Sequence, residues 1–186
     1  MISEIYLIIL AEAAVIIWTA VAVKKKIPYD RIIITAVFIF YMAALIAAVF
    51  FPIKFDQSRT KSYDDMEHRL QLIPFNTTIE FIKSSSAFNA FVQIVGNIVM
   101  TVPFGFLLPL LHKFRKKYMY VLTALLFPLC IEVTQLIIGL SLGTLYRTAD
   151  VDDIIYNFSG IMAGYALYKL MQKALKAKSK KTVNII

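Results

Sequence analysis

Charge is scarce in this sequence: Asp, Glu, Lys and Arg make up 17% of its 186 residues, below the ~25% of an ordinary soluble domain. Cysteine is nearly missing, and a single Cys130 excludes an intrachain disulfide and leaves the redox compartment unread. The two histidines, His68 and His112, fall in polar connecting stretches, which argues against a histidine-built metal site. No glycine-rich phosphate loop, no serine–histidine pairing and no H-E-x-x-H occurs, so the commonest signatures of nucleotide, acyl-transfer and zinc chemistry are lacking. Neither an internal repeat nor a low-complexity domain interrupts the chain.

What the sequence holds in quantity is apolar length. It is 59% hydrophobic with a mean hydropathy of +0.70. Five runs, 5–23, 32–53, 88–111, 118–138 and 154–172, approach or exceed the ~20 residues that carry a helix across a bilayer. The expectation is an all-α integral membrane protein, one domain over 1–186, built as a bundle of five transmembrane helices. The first run follows "MISE" and is itself followed by "KKK", the reverse of the charge order of a signal peptide, so it is read as a retained span.

The basic residues orient the bundle. Lys24–Lys26 and Arg31, the cluster at 113–117 and the lysines of the tail place 14 of the 20 basic residues on one side. The longer opposite segments carry Asp56, Asp64, Asp65, Glu67, Glu80, Asp150, Asp152 and Asp153. The positive-inside rule then puts the N-terminus outside and the C-terminus in the cytoplasm. The net charge of +8 is therefore topogenic, and a nucleic-acid partner is not expected. The tail from Lys169 reads as a helix end fraying into a cytoplasmic anchor. Within the one long outer connection, "NTTIEFI" fits a capping box with Thr77 as N-cap and Glu80 three residues on. It reads as a short helix lying at the outer interface, or as an ordered external loop.

Polar side chains inside apolar runs are costly and mark candidate sites. Gln93, Asn97 and Thr101 recur at spacing four in the third run, and Glu132 and Gln135 at spacing three in the fourth. In the stretch "RTADVDDIIYNFSGIMAGY", Asp150, Asp153, Asn157, Gly160 and Gly164 share one helical stripe. Asp150 suits the N-cap, and the glycine pair admits a close neighbouring helix. Asp152 points off the stripe, towards Arg147 or the external loop. Arg147 is a cationic partner for a buried Glu132 or a phosphate clamp. Glu12 is a second buried acid, or faces lipid in its protonated form. Pro128 in the fourth run and Pro103 with Gly105 in the third are places where the helices could open. These residues could be surface caps and interhelical glue; their common depth favours one outward-opening pocket formed by Glu132, Arg147, Asp150, Asp153 and Asn157.

The segments "LIPFNTTIEF", "GNIVMTVPFGFLLPLL", "IEVTQLIIG", "RTADVDDIIYN" and "GIMAGY", in this order over about 72–165, resemble the VanZ-like family of bacterial membrane proteins. Asn97, Pro103, Gly105, Glu132, Gln135, Arg147, Asp150, Asp153 and Asn157 match its signature positions. The resemblance implies residence in the bacterial cytoplasmic membrane and a role in the cell envelope, the family being named for a teicoplanin-resistance member. On that basis the pocket is expected to bind a lipid headgroup, a lipid-linked cell-wall component or a lipoglycopeptide, through Gln93, Asn97, Gln135, Arg147 and Asn157. The alternative is an intramembrane enzyme on a lipid-linked substrate, with Glu132, Asp150 and Asp153 as its acid–base groups. No cofactor or metal is called for. A channel or transporter is less favoured, because the polar stripe stops near Thr101.

Overall fold

A computed structural model describes residues 5–51, 70–84, 87–142 and 147–183. Six helices account for nearly all of it: α1 (Ile5–Lys24), α2 (Tyr29–Phe50), α3 (Asn76–Lys83), α4 (Ala87–Leu111), α5 (Lys117–Leu142) and α6 (Val151–Val183). Two short strands, β1 (Leu70–Gln71) and β2 (Ala149–Asp150), pair in parallel, with Leu70 opposite Ala149 and Gln71 opposite Asp150.

Helices α1, α2, α4 and α5 are long and apolar enough to cross a membrane. The fifth expected run, 154–172, lies inside α6, where Asn157, Ser159 and three tyrosines dilute the apolar character. Most boundaries fall within a few residues of expectation, with two physical corrections. The second run was expected to reach residue 53, but α2 ends at Phe50, and Phe51 is extended at φ −114° and ψ 154°. Phe51 precedes Pro52, whose ring disfavours helical geometry in the residue before it. The tail was expected to fray, yet α6 continues to Val183. Beyond Gly164 it contains only good or neutral helix formers, chiefly Ala, Leu, Lys, Met and Gln, until the closing Thr-Val.

Helices α4 and α6 make the closest pair. A Cβ on Gly160 would stand 2.2 Å from the Ile98 carbonyl oxygen, and one on Gly164 2.1 Å from that of Val102. The contact is reciprocal, since a Cβ on Gly105 of α4 would lie 2.0 Å from the Ile161 oxygen. Gly105 therefore closes the α4–α6 seam instead of opening space. Proline does not break the long helices: α4 runs through Pro103 and Pro109, and α5 through a buried Pro128.

Around this seam Phe104, Tyr120, Ala124 and Ile161 form the core. The Tyr120 hydroxyl donates to the Gly105 carbonyl at 3.0 Å and lies 3.4 Å from that of Ile161, tying α5 to both helices. A second cluster of Leu45, Val49 and Ile131 joins α2 to α5. Helix α1 rests on α2 and buries only Ala11 and Ala22, leaving Ile8, Ile9, Leu10, Ile16 and Ile17 more than half exposed. Such an outer surface suits hydrocarbon, not water. Glu12 is exposed on α1, so it is not a second buried acid.

Candidate functional site

The polar residues gather where β2 turns into α6. Asp150 accepts the backbone N–H of Asp152 on its carboxylate at 2.9 Å, the geometry of an N-cap. It is 4% exposed, as expected for a cap inside a packed assembly. Its own N–H donates to Glu132 Oε2 at 3.0 Å, fixing the start of α6 to α5.

Three residues on, Asp153 turns to α4. Its Oδ1 accepts the Gln93 amide at 3.0 Å and the Asn97 amide at 2.5 Å. One turn further, Thr101 donates to the Asn157 carbonyl oxygen at 2.9 Å. The two stripes expected from spacing, 93–97–101 and 150–153–157, thus face each other across the α4–α6 seam. Asn157 is 2% exposed, and its side-chain Oδ1 has no hydrogen-bond partner among the described residues.

Asp152 turns away from the α4–α6 seam. Lying off the stripe, it meets the long connecting segment, one of the two partners open to it, and it is fully buried. Its Oδ1 accepts the N–H of Phe75, while Oδ2 accepts the Thr78 N–H at 3.3 Å and the Thr78 hydroxyl at 2.9 Å. The Thr78 hydroxyl also lies 2.8 Å from the Tyr156 hydroxyl, one turn along α6 from Asp152. Asp152 therefore caps α3 from another helix, which corrects the capping box. The N-cap of α3 is Phe75, at φ 65°, and it makes no side-chain cap bond. An N-cap without a side-chain acceptor leaves N–H groups open, and the distant carboxylate fills that need. Thr77, freed from capping, bonds the side chain of Asp150. Glu80 accepts the Asn76 amide at 2.9 Å.

These tethers and the β1–β2 pair hold α3 beside the bundle. Between them lies a cavity of about 530 Å³ lined by Gln71, Thr77, Glu80, Gln93, Thr148, Asp150 and Asp153, with Leu70 and Phe81 as apolar walls. That size is within the range of small-molecule sites. Burial raises the Asp150 carboxyl above its ordinary value; the Thr77 hydroxyl and Asp152 N–H oppose this, and the charges of Asp152 and Glu80 add to it.

Several expected members stand outside this cavity. Glu132 is 4% exposed and spends its carboxylate on the Asp150 N–H. Arg147 forms no ion pair with it among the described residues; its guanidinium is exposed and donates to the Ala48 carbonyl at 3.4 Å. A backbone donor thus takes the place foreseen for the arginine. Gln135 donates to the Val49 carbonyl at 3.2 Å, at the end of α2, and is remote from Asp153 in its bonding. Gln71, Thr77, Thr78, Glu80, Thr148 and Tyr156 were not foreseen at the site. Only the spacing of four between Asp152 and Tyr156 signalled a second polar face on α6.

The architecture defines a helical membrane protein with a polar, acid-lined site at the head of its closest helix pair. Residues 38–172 match the model of the family described as VanZ/LLP1, and the chain belongs to that family. The match starts within α2, so the family region reaches beyond the 72–165 expected from motifs. Neither the curated proteins nor the solved structures give a match to the chain.

Proposed function

We propose that this chain is a cell-envelope protein of the bacterial cytoplasmic membrane that binds the polar part of an envelope amphiphile in the cavity between α3 and α6. The candidates are a lipid headgroup, a lipid-linked cell-wall component or a lipoglycopeptide, and lowered teicoplanin susceptibility would follow from the last. In this reading the chain is one domain that crosses the membrane five times, α6 supplying the fifth span, with its N-terminus outside. Helix α3 lies at the outer interface, where the exposed side chains of Leu72, Ile73, Phe75, Ile79 and Ile82 meet lipid.

One observation carries the binding reading: an open cavity whose lining combines three carboxylates with two amides and two threonines. Among the described residues no cation lines it, so the complementary ligand group is rich in hydroxyls or bears an amine, and a phosphate is disfavoured there. Gln93, Asp150 and Asp153 contact the ligand; Asn97 and Asn157 support the wall behind them. The enzymatic alternative would need Glu132 at the substrate, and its bond to the Asp150 N–H directs that carboxylate to a structural task. Binding is therefore the better-supported reading.

Mass spectrometry of lipids kept through gentle purification tests it. Wild type should retain a defined envelope lipid that Glu80→Gln with Asp153→Asn releases, with a matching change in lipoglycopeptide susceptibility of cells carrying the variant. Retention of the same lipids by both forms would remove the cavity from the function.

A further inference from the structure

A second cavity, of about 310 Å³, lies where α4 ends and α6 passes the turn into α5. Counting ~1.5 Å per residue, it is about 24 Å from the first along α4, near the other face of the hydrocarbon layer. Its chemistry is reversed. His112 and Lys113 from the turn and Lys169 from α6 bring cationic or proton-donating groups, and among the described residues no carboxylate lines it.

The lysine of α6 is held in place. The Lys169 ammonium stands 5.1 Å from the ring centre of Tyr165 and 5.6 Å from that of Tyr168. Aromatic faces orient a cation without neutralising it. The Tyr168 hydroxyl accepts the Gln172 amide at 2.5 Å and so keeps its own proton to donate. His112 is set edge-on against Phe114 at 4.8 Å, which fixes the turn beside Lys113. Two ammonium groups and a hydroxyl donor around a small void, without a counter-charge, describe a receptor for an oxyanion.

We propose that this cavity binds a phosphate group. The phosphate chemistry has two possible sources, the phosphodiester of an anionic lipid in the leaflet at this end and a free phosphate from the adjoining solution. Basic pockets between spans on the cytoplasmic side commonly take anionic headgroups, and the lysine-rich end of α6 marks that side under the positive-inside rule. The site is independent of the α3 cavity: the two lie at opposite ends of the α4–α6 seam and share no residue.

The test uses the full chain in nanodiscs of phosphatidylglycerol or phosphatidylcholine, with bound lipid counted by native mass spectrometry. Wild type should retain phosphatidylglycerol in preference to phosphatidylcholine. Each lysine near the surface contributes about fivefold, so Lys113→Gln with Lys169→Gln should weaken retention roughly twenty-five-fold. The tail pair Lys173→Gln with Lys176→Gln, which does not line the cavity, should change it less than twofold. If the double variant melts early, the single substitutions, expected at about fivefold each, carry the comparison. Displacement of the lipid by millimolar inorganic phosphate assigns a free phosphate as occupant; resistance to it assigns the lipid phosphodiester. Equal losses from the cavity pair and the tail pair, or equal retention of both lipids by wild type, would overturn the site.

Discussion

Asp150, Asp152 and Asp153 stand within four residues, and together their carboxylates reach the first turn of α6, helix α3 and helix α4. The burden on Asp152 is heaviest. Its removal would strand the N–H groups of Phe75 and Thr78, the Thr78 hydroxyl keeping the Tyr156 hydroxyl as partner. Unmet donors cost about 1–3 kcal/mol each when buried, and these two are part-buried, so Asp152→Ala should lower stability by about 2–3 kcal/mol, at least as much as Asp153→Ala. Melting in detergent reads this directly, and a wild-type melting curve for Asp152→Ala would refute the tether. Asp150 gives a pH signature instead. Its folded-state value is raised, mainly by burial, so the native chain holds that proton more tightly than the unfolded chain. Its contribution is then complete below the unfolded aspartate value and is lost as pH climbs through the raised folded value. Asp150→Asn, still a competent cap and neutral throughout, should gain in melting temperature relative to wild type across that rise. A difference that stays constant with pH would contradict the assignment.

Among the helices, the α4–α6 seam is the most exacting contact, because three glycines let backbone meet backbone. Gly105→Ala should destabilise by about 1–3 kcal/mol or more, since the added methyl would meet a carbonyl held by the facing helix and not a movable side chain. Gly160→Leu and Gly164→Leu should prevent normal accumulation. Gly96, on the same helix α4, has open space around it. Gly96→Ala should be tolerated and should gain up to about 1 kcal/mol from helix propensity. Similar losses at Gly96 and Gly105 would mean that the seam is not what these glycines serve.

Across the whole molecule, the proposed topology sets the lysine-rich ends and the acid-lined head of α6 on opposite sides of the bilayer. In a Cys130→Ala background, single cysteines at Ser3, which lies outside the described residues, and at Lys178 should react with an impermeant thiol reagent from opposite faces of intact membranes. Ser3 should label from outside and Lys178 only after the inner face is exposed. Labelling from the same side would remove α6 as the fifth span. If the labelling follows this pattern, the proposed placement of α3 puts the first cavity at the depth of the outer headgroups.

Chain-local regularities were legible without coordinates. Apolar length marked the long helices, spacing of three and four placed Gln93 with Asn97 and Asp153 with Asn157 on two helical stripes, and the glycine pair announced a close neighbour. Each of these follows from helix geometry, which repeats along the chain and needs no partner to be read. Which partner each polar group took was not written in that periodicity. Asp152 reaches Thr78, 74 residues earlier, Gln135 reaches Val49, 86 residues earlier, and the Glu132 carboxylate meets a backbone N–H instead of the arginine that composition offered. Any buried donor can satisfy a buried acceptor, and many lie at similar depth in a bundle. Only the packed positions of α2, α3 and α5 around the α4–α6 seam select among them, and that selection leaves Asp150, Asp153, Glu80 and Gln93 around an open cavity.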